Sequence, residues 1–251
     1  MTKTRPPAKT GIKLSEVDTP ALVLDLDIFD RNRRTLKEKL VGLPINFRPH
    51  AKSHKCPRIA HLQIQDGASG ICCQKVSEAE VMVNAGISDI LISNQIVGEK
   101  KISRLVELAQ LTAISVCVDN IANIDQLNQF AGKSKVQLNV LAEMDVGTGR
   151  CGVRDKYQLL NLVEHITTCK HLNFRGIQAY HGKAQHVRDH QTRKQHIHKA
   201  SNIVKLAIQT LKEKSIFCDL VSGGGTGTME FEANSGIFNE VQPGSYIFMD
   251  G

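Results

Sequence analysis

The stretch SGICCQKVSEAEVMVNAGISDILIS, residues 69–93, holds one full repeat of the pattern that runs through this chain. SGICC (69–73) is short, apolar and bounded by polar residues and glycine, which predicts a strand. Apolar residues at helical spacing follow it, and Ser77 with Glu80 three residues on reads as a capping box that opens the helix. Gly86 ends that helix. DILIS (89–93) is the next strand. Strand, helix and strand in this order make a βαβ unit, whose strands lie parallel.

The alternation extends in both directions. Upstream, ALVLD (21–25) predicts a strand, 27–40 a helix, INFR (45–48) a strand and 57–65 a helix. Downstream, helices over 98–110, 120–130, 157–168 and 192–214 alternate with the strands AISVCVD (113–119), VQLNVLAEMD (136–145), FRGIQAY (174–180) and FCDLVS (217–222). YIFMD (246–250) reads as the last strand. Such repeats build either an open doubly wound sheet or a closed barrel, and about eight units in a chain of 251 residues suit a (β/α)8 barrel. No linker or second hydrophobic domain interrupts them. The division is a tail over 1–18 and one α/β barrel over 19–251.

Composition narrows the function. Hydrophobic residues are 41% and charged residues 23%, ordinary for a globular protein, and no apolar run is long enough to cross a membrane. The basic start lacks an apolar core, so no secretion signal is read there and a cytoplasmic location is expected. Lys and Arg number 32 against 25 Asp and Glu, a net charge of +7. That suits either a generally basic surface or an anionic ligand. Nucleic acid fits poorly, because the cations are dispersed and there is no Trp and only 3 Tyr to stack bases. Seven cysteines with no C-x-x-C argue against a disulfide framework or a cysteine-rich zinc site. Cys72 and Cys73, adjacent in a strand, should face opposite sides.

In either architecture the active site lies beyond the carboxyl ends of the strands, and the polar motifs fall there. RPHAKSHK (48–55) follows INFR. A lysine among other cations, partly desolvated, has a lowered pKa, and the neutral amine suits Schiff-base chemistry. A solvated basic loop is the competing reading. SGGGTGT (222–228) offers successive backbone N–H groups and hydroxyls that suit a phosphate, and PGSY (243–246) can add to that seat. The loop lacks the Lys-Ser/Thr ending of a nucleotide-hydrolysing P-loop. DVGTGRCG (145–152) presents Arg150 between glycines, suited to a phenolate or carboxylate oxygen. YHGKAQH (180–186) offers Tyr180 and two imidazoles, His181 and His186, either of which could serve as a general base. His190, His196 and His198 read as solvent-facing.

RPHAKSHK, GICCQKVSEAE, EMDVGTGRCG, GIQAYHG, SGGGTGT and QPGSYIFMD, in this order from about Thr19 onward, resemble the fold-type III pyridoxal 5′-phosphate (PLP) enzymes acting on D-3-hydroxy amino acids. The group includes D-threonine aldolase, 3-hydroxy-D-aspartate aldolase and D-serine dehydratase, and is more remotely similar to the amino-terminal barrel of alanine racemase. The resemblance implies Lys52 as the Schiff-base lysine and His186 as the base for the substrate hydroxyl. It implies Gln74, Arg150 and Tyr180 around the cofactor ring, and Gly224, Thr226, Gly244, Ser245 and Tyr246 around its phosphate. The implied reaction is retro-aldol cleavage to glycine and an aldehyde, with 3-hydroxy-D-aspartate favoured by the stretch CCQKVSEAE. D-Threonine cleavage and D-serine dehydration are the alternatives, and a non-catalytic PLP-binding protein is the alternative of another class. The family pattern also implies a homodimer, and a carboxy-terminal β domain carrying the ligands of a divalent metal (Mn, Mg, Co or Zn). That domain is expected to be largely absent from this chain, with the ligands beyond residue 251 and none within it.

Overall fold

The computed structural model of the protein describes residue 6 and residues 8–248. Eight parallel strands lie in the order β1-β8-β7-β6-β5-β4-β3-β2. They are β1 (Asn46–Phe47), β2 (Ile71–Cys73), β3 (Asp89–Gln95), β4 (Ala113–Val118), β5 (Leu138–Glu143), β6 (Leu172–Gln178), β7 (Leu220–Gly223) and β8 (Glu240–Val241). Between β1 and β2 the Ser69 N–H donates to the Phe47 carbonyl and the Cys72 N–H to that of Pro49, so the curled sheet meets itself. This is the barrel, not the open sheet.

The helices α2 (Pro57–Gln65), α3 (Val76–Asn84), α4 (Glu99–Ala109), α5 (Ile121–Ser134), α6 (Lys156–Thr168), α7 (His190–Glu213) and α8 (Met229–Ala233) follow β1 to β7 in turn. The helix α1 (Leu26–Leu40) precedes β1 and packs beside α8, where Phe29, Leu36 and Leu40 share a core cluster with Phe47, Met229, Val241 and Tyr246.

Strand alternation sorts the two cores. Ile71, Cys73, Ile90, Ile92, Val116, Val118, Val140 and Ala142 point outward into the layer under the helices. Cys72, Leu91, Cys117 and Leu141, each between two of these, form a separate interior cluster. Cys72 and Cys73 thus face opposite sides.

Three local expectations are corrected. ALVLD (21–25) is not a strand: Leu22 is fully exposed, and Asp25 instead caps α1 by accepting from the Ile28 N–H. β-Propensity alone cannot hold a strand without a neighbour for its backbone groups. The box at Ser77 does not form, because α3 starts earlier, after Lys75; Glu78 reaches back to the Gln74 N–H while Glu80 pairs with Arg104. YIFMD is not the last strand: Ser245–Ile247 form a 3-10 turn, and 249–250 lie outside the described residues. The last strand is the short β8, whose inward Glu240 masks the apolar pattern.

Candidate active site

The strand-end motifs converge on one cavity of about 430 Å³ at the carboxyl face of the barrel. Lys52, His50, Ser53, Gln74, Ser93 and Arg150 line it together with Tyr180, Gln185, His186, Gly225, Thr226, Gly227, Gly244 and Ser245, and Gln178 and Gln242 are also exposed to it.

Lys52 sits in a 3-10 turn, Ala51–Ser53, directly after β1. His50 caps that turn: its Nδ1 accepts from the Lys52 N–H at 3.4 Å and its Nε2 lies 3.1 Å from Ser93 Oγ. Burial, then the neighbouring Lys52 charge, pushes His50 down to about 3, so it stays neutral and free to accept. The Lys52 side chain is open to the cavity, yet the protein around it displaces enough water that desolvation, followed by the Arg150 charge, lowers its pKa. The Lys55 side chain is exposed and folds back onto the Lys52 carbonyl at 3.0 Å.

Arg150 comes from a turn built around Asp145, whose carboxylate accepts from the N–H groups of Gly147 and Gly149. Burial alone would raise Asp145, but these backbone bonds hold it below its usual value. Gly147 has φ +129, and a Cβ there would lie 2.4 Å from His181 Nε2, so only glycine fits. The Arg150 guanidinium stands 6.0 Å from the Tyr180 ring centroid. Burial raises the Tyr180 phenol.

The glycine loop after β7 wraps the far wall. The N–H groups of Gly244 and Tyr246 both point at Thr226 Oγ1, at 3.2 and 3.0 Å, a convergence of donors that suits an anion. A Cβ on Gly225 would lie 2.7 Å from Gln185 Oε1, and one on Gly244 2.7 Å from Ser53 Oγ, so side chains there would fill the seat.

Two residues named from sequence stand apart from the cavity. Gly224 is behind the loop, against Glu232. The Tyr246 ring turns into the core beside α1 and its hydroxyl accepts from Gln63 Nε2, leaving only its backbone N–H toward the loop. Of the two imidazoles considered as a base, His186 lines the cavity, whereas His181 is buried against Gly147 and edge-on to His196 at 5.5 Å. His196 is accordingly half-buried rather than solvent-facing, while His190 and His198 are exposed. Gln178, Gln185, Gln242, Ser53 and Ser93 also line the cavity but were not named from the sequence; all but Ser93 lie inside the quoted motifs, yet as neutral side chains they have no charge to set them apart from their neighbours.

Among the described residues the one group of three potential metal ligands is Asp125, His165 and Cys169, on α5 and at the end of α6, none of which lines the cavity. No helix of the described residues is long and apolar enough to cross a membrane.

Residues 24–251 match the family of the alanine racemase N-terminal domain. D-Threonine aldolase of Arthrobacter sp is 49% identical over 98% of this chain and 65% of that protein. 3-Hydroxy-D-aspartate aldolase of Paracoccus denitrificans (strain Pd 1222) is 42% identical over 97% of this chain and 64% of that protein. The crystal structure of D-threonine aldolase from Filomicrobium marinum superposes with a TM-score of 0.95 at 46% identity, over 97% of this chain and 66% of that one. The chain thus spans about two thirds of the length of these relatives.

Proposed function

The chain belongs to the family of the alanine racemase N-terminal domain, and from that premise we propose that it holds pyridoxal 5′-phosphate at Lys52 and serves the cleavage of a D-3-hydroxy amino acid to glycine and an aldehyde. One observation carries the reading. Lys52, with its lowered pKa, and a glycine loop with converging donors open into a single cavity of a size suited to a small cofactor and its substrate.

The residues present fit the cofactor. The backbone around Gly225–Gly227 and Gly244–Ser245 would take the phosphate, and Arg150, Tyr180 and Gln74 would lie around the ring. When bound, PLP supplies an electron sink for the charge left as the Cα–Cβ bond breaks. The protein's own part is positional and protolytic. Desolvation keeps more of the Lys52 amine neutral, hence nucleophilic, than in water. His50 fixes the backbone that carries Lys52. His186, exposed at the cavity rim, takes the proton of the β-hydroxyl.

The choice of substrate has divided support. The cations Arg150 and Lys183 around the site favour the two carboxylates of 3-hydroxy-D-aspartate. The higher identity to a D-threonine aldolase favours D-threonine. Glyoxylate or acetaldehyde as the product separates them.

The visible spectrum with PLP tests the cofactor assignment. A band from lysine-bound cofactor is expected in the wild type and not in Lys52→Ala. Equal bands in both would overturn Lys52 in favour of Lys55, and no band in a folded wild type would overturn cofactor binding by this chain.

A further inference from the structure

His186 closes a 3-10 turn, Gly182–His186, that is held at both ends by other parts of the site. At its start the Gly182 N–H donates to Thr148 Oγ1 at 2.7 Å, and that hydroxyl donates to the Tyr180 carbonyl at 2.8 Å. At its end the grip comes from the residue before His186. Gln185 Nε2 donates to Thr228 Oγ1 at 2.6 Å, and Gln185 Oε1 accepts from the Gly227 N–H at 3.0 Å. One carboxamide therefore holds two successive residues of the glycine loop.

The direction of these bonds is set from beneath. Thr228 is buried, and its hydroxyl donates to Glu232 Oε1 at 2.9 Å. A hydroxyl has one hydrogen to give, so the Thr228 oxygen meets Gln185 as an acceptor. That orients the carboxamide with its nitrogen toward Thr228 and its oxygen toward Gly227. Glu232 is 1% exposed, its Oε2 has no partner, and a Cβ on Gly224 would lie 2.9 Å from its Cδ. The loop is thus pressed from below by Glu232 and gripped from the cavity side by Gln185. Burial pushes Glu232 up to about 7, which leaves the carboxyl only partly charged beneath a seat meant for an anion.

We propose that Gln185 is a positioning residue that couples occupancy of the glycine loop to the placement of His186. The proposal rests on the reading of that loop as a phosphate seat. A phosphate settled among the loop amides orders Gly227 and Thr228. Gln185, bonded to both, carries that order into the turn, and the His186 imidazole follows. The base is then in place when the anion is bound and looser when it is not. Arg150 and Tyr180 need no part in this latch, because the contact runs directly from loop to turn.

Backbone hydrogen exchange with and without inorganic phosphate tests it on this chain without turnover. In the wild type, phosphate is expected to slow the amides of 224–228 and, by roughly tenfold, those of 184–187. In Gln185→Ala the loop is expected to respond and the turn not. Gln185→Glu, which keeps the volume but sets a second acceptor against Thr228, is expected to lose the response as well, and covers the case of an unstable alanine variant. A turn that responds equally in these variants, or a wild-type loop that responds while the turn does not, would overturn the coupling. A wild-type loop indifferent to phosphate would overturn the phosphate seat itself, and the coupling with it.

Discussion

The inside of the barrel has two unlike halves. From β2 round to β5 the middle layer of inward side chains is Cys72, Leu91, Cys117 and Leu141, packed on one another, with Asp89 and Glu143 as the polar ends of the same strand faces. From β6 round to β1 the inward positions hold Gln178, Ser222, Glu240, Gln242 and Arg48, joined by hydrogen bonds. Arg48 Nε donates to Glu240 Oε2 at 3.0 Å and its Nη1 to Asp89 Oδ1 at 2.7 Å; Ser222 and Ser69 donate to the same Glu240 carboxylate. Gln242 Nε2 reaches Ser222 Oγ at 2.7 Å and Gln178 Oε1 at 2.8 Å. Burial would lower the Arg48 pKa, but Glu240 and Asp89 more than offset it, so the guanidinium stays charged.

The halves differ in backbone pairing too. β5 and β6 match six residues, whereas β8 matches two with each of β7 and β1. Side-chain bonds hold the barrel where its ladders are shortest. Gln178 and Gln242 carry the same network up to the cavity floor, so closure of the barrel and support of the site are one structure. An apolar half yields gradually to a change of shape, while a buried charged network fails as a unit.

Three substitutions would break or sharpen this contrast, all read by denaturant unfolding. The largest effect is expected for Glu240→Ala, which takes from the buried Arg48 its buried carboxylate partner, leaving only Asp89, and removes the acceptor of Ser222; it should cost about 3–5 kcal/mol, and a loss below that of an ordinary core truncation would break the contrast. Glu232→Gln comes next. The Glu232 pKa is raised from 4.5 to about 7 by burial, so the unfolded state gives up its proton first and wild-type stability falls as pH rises through that window. The variant should match the wild type near pH 5 and exceed it near pH 8 by on the order of 1–3 kcal/mol. Glu143, also raised to about 7 by burial, leaves part of the slope in place. The smallest effect is expected for Ile90→Val in the outer apolar layer, about 0.5–1.5 kcal/mol at any of these pH values.

The apolar half was the legible one. Its strands and helices follow from period-2 and period-3.6 patterns, and the helix over 57–65 falls where its pattern put it. The polar half was not. β8 is two residues long and carries an inward glutamate, which no hydrophobic pattern marks. The opposite error arose at Leu22, Val23 and Leu24, strand-like in composition but exposed and unpaired among the described residues.

For the site, the residue types and their order along the chain were already informative. An H-A-K turn, an arginine among glycines, a histidine after a strand end and a glycine-rich loop each carry chemistry in their side chains or in bare backbone, and each follows a strand. Their convergence on one cavity, the placing of His186 rather than His181 at its lining, the turning away of Tyr246 and the grip of Gln185 on the loop were decided by tertiary structure alone. The physical reason is reach. A local pattern reports which way a side chain leaves its own backbone, but a hydrogen bond between residues forty or more positions apart depends on how the closed barrel brings their strand ends together.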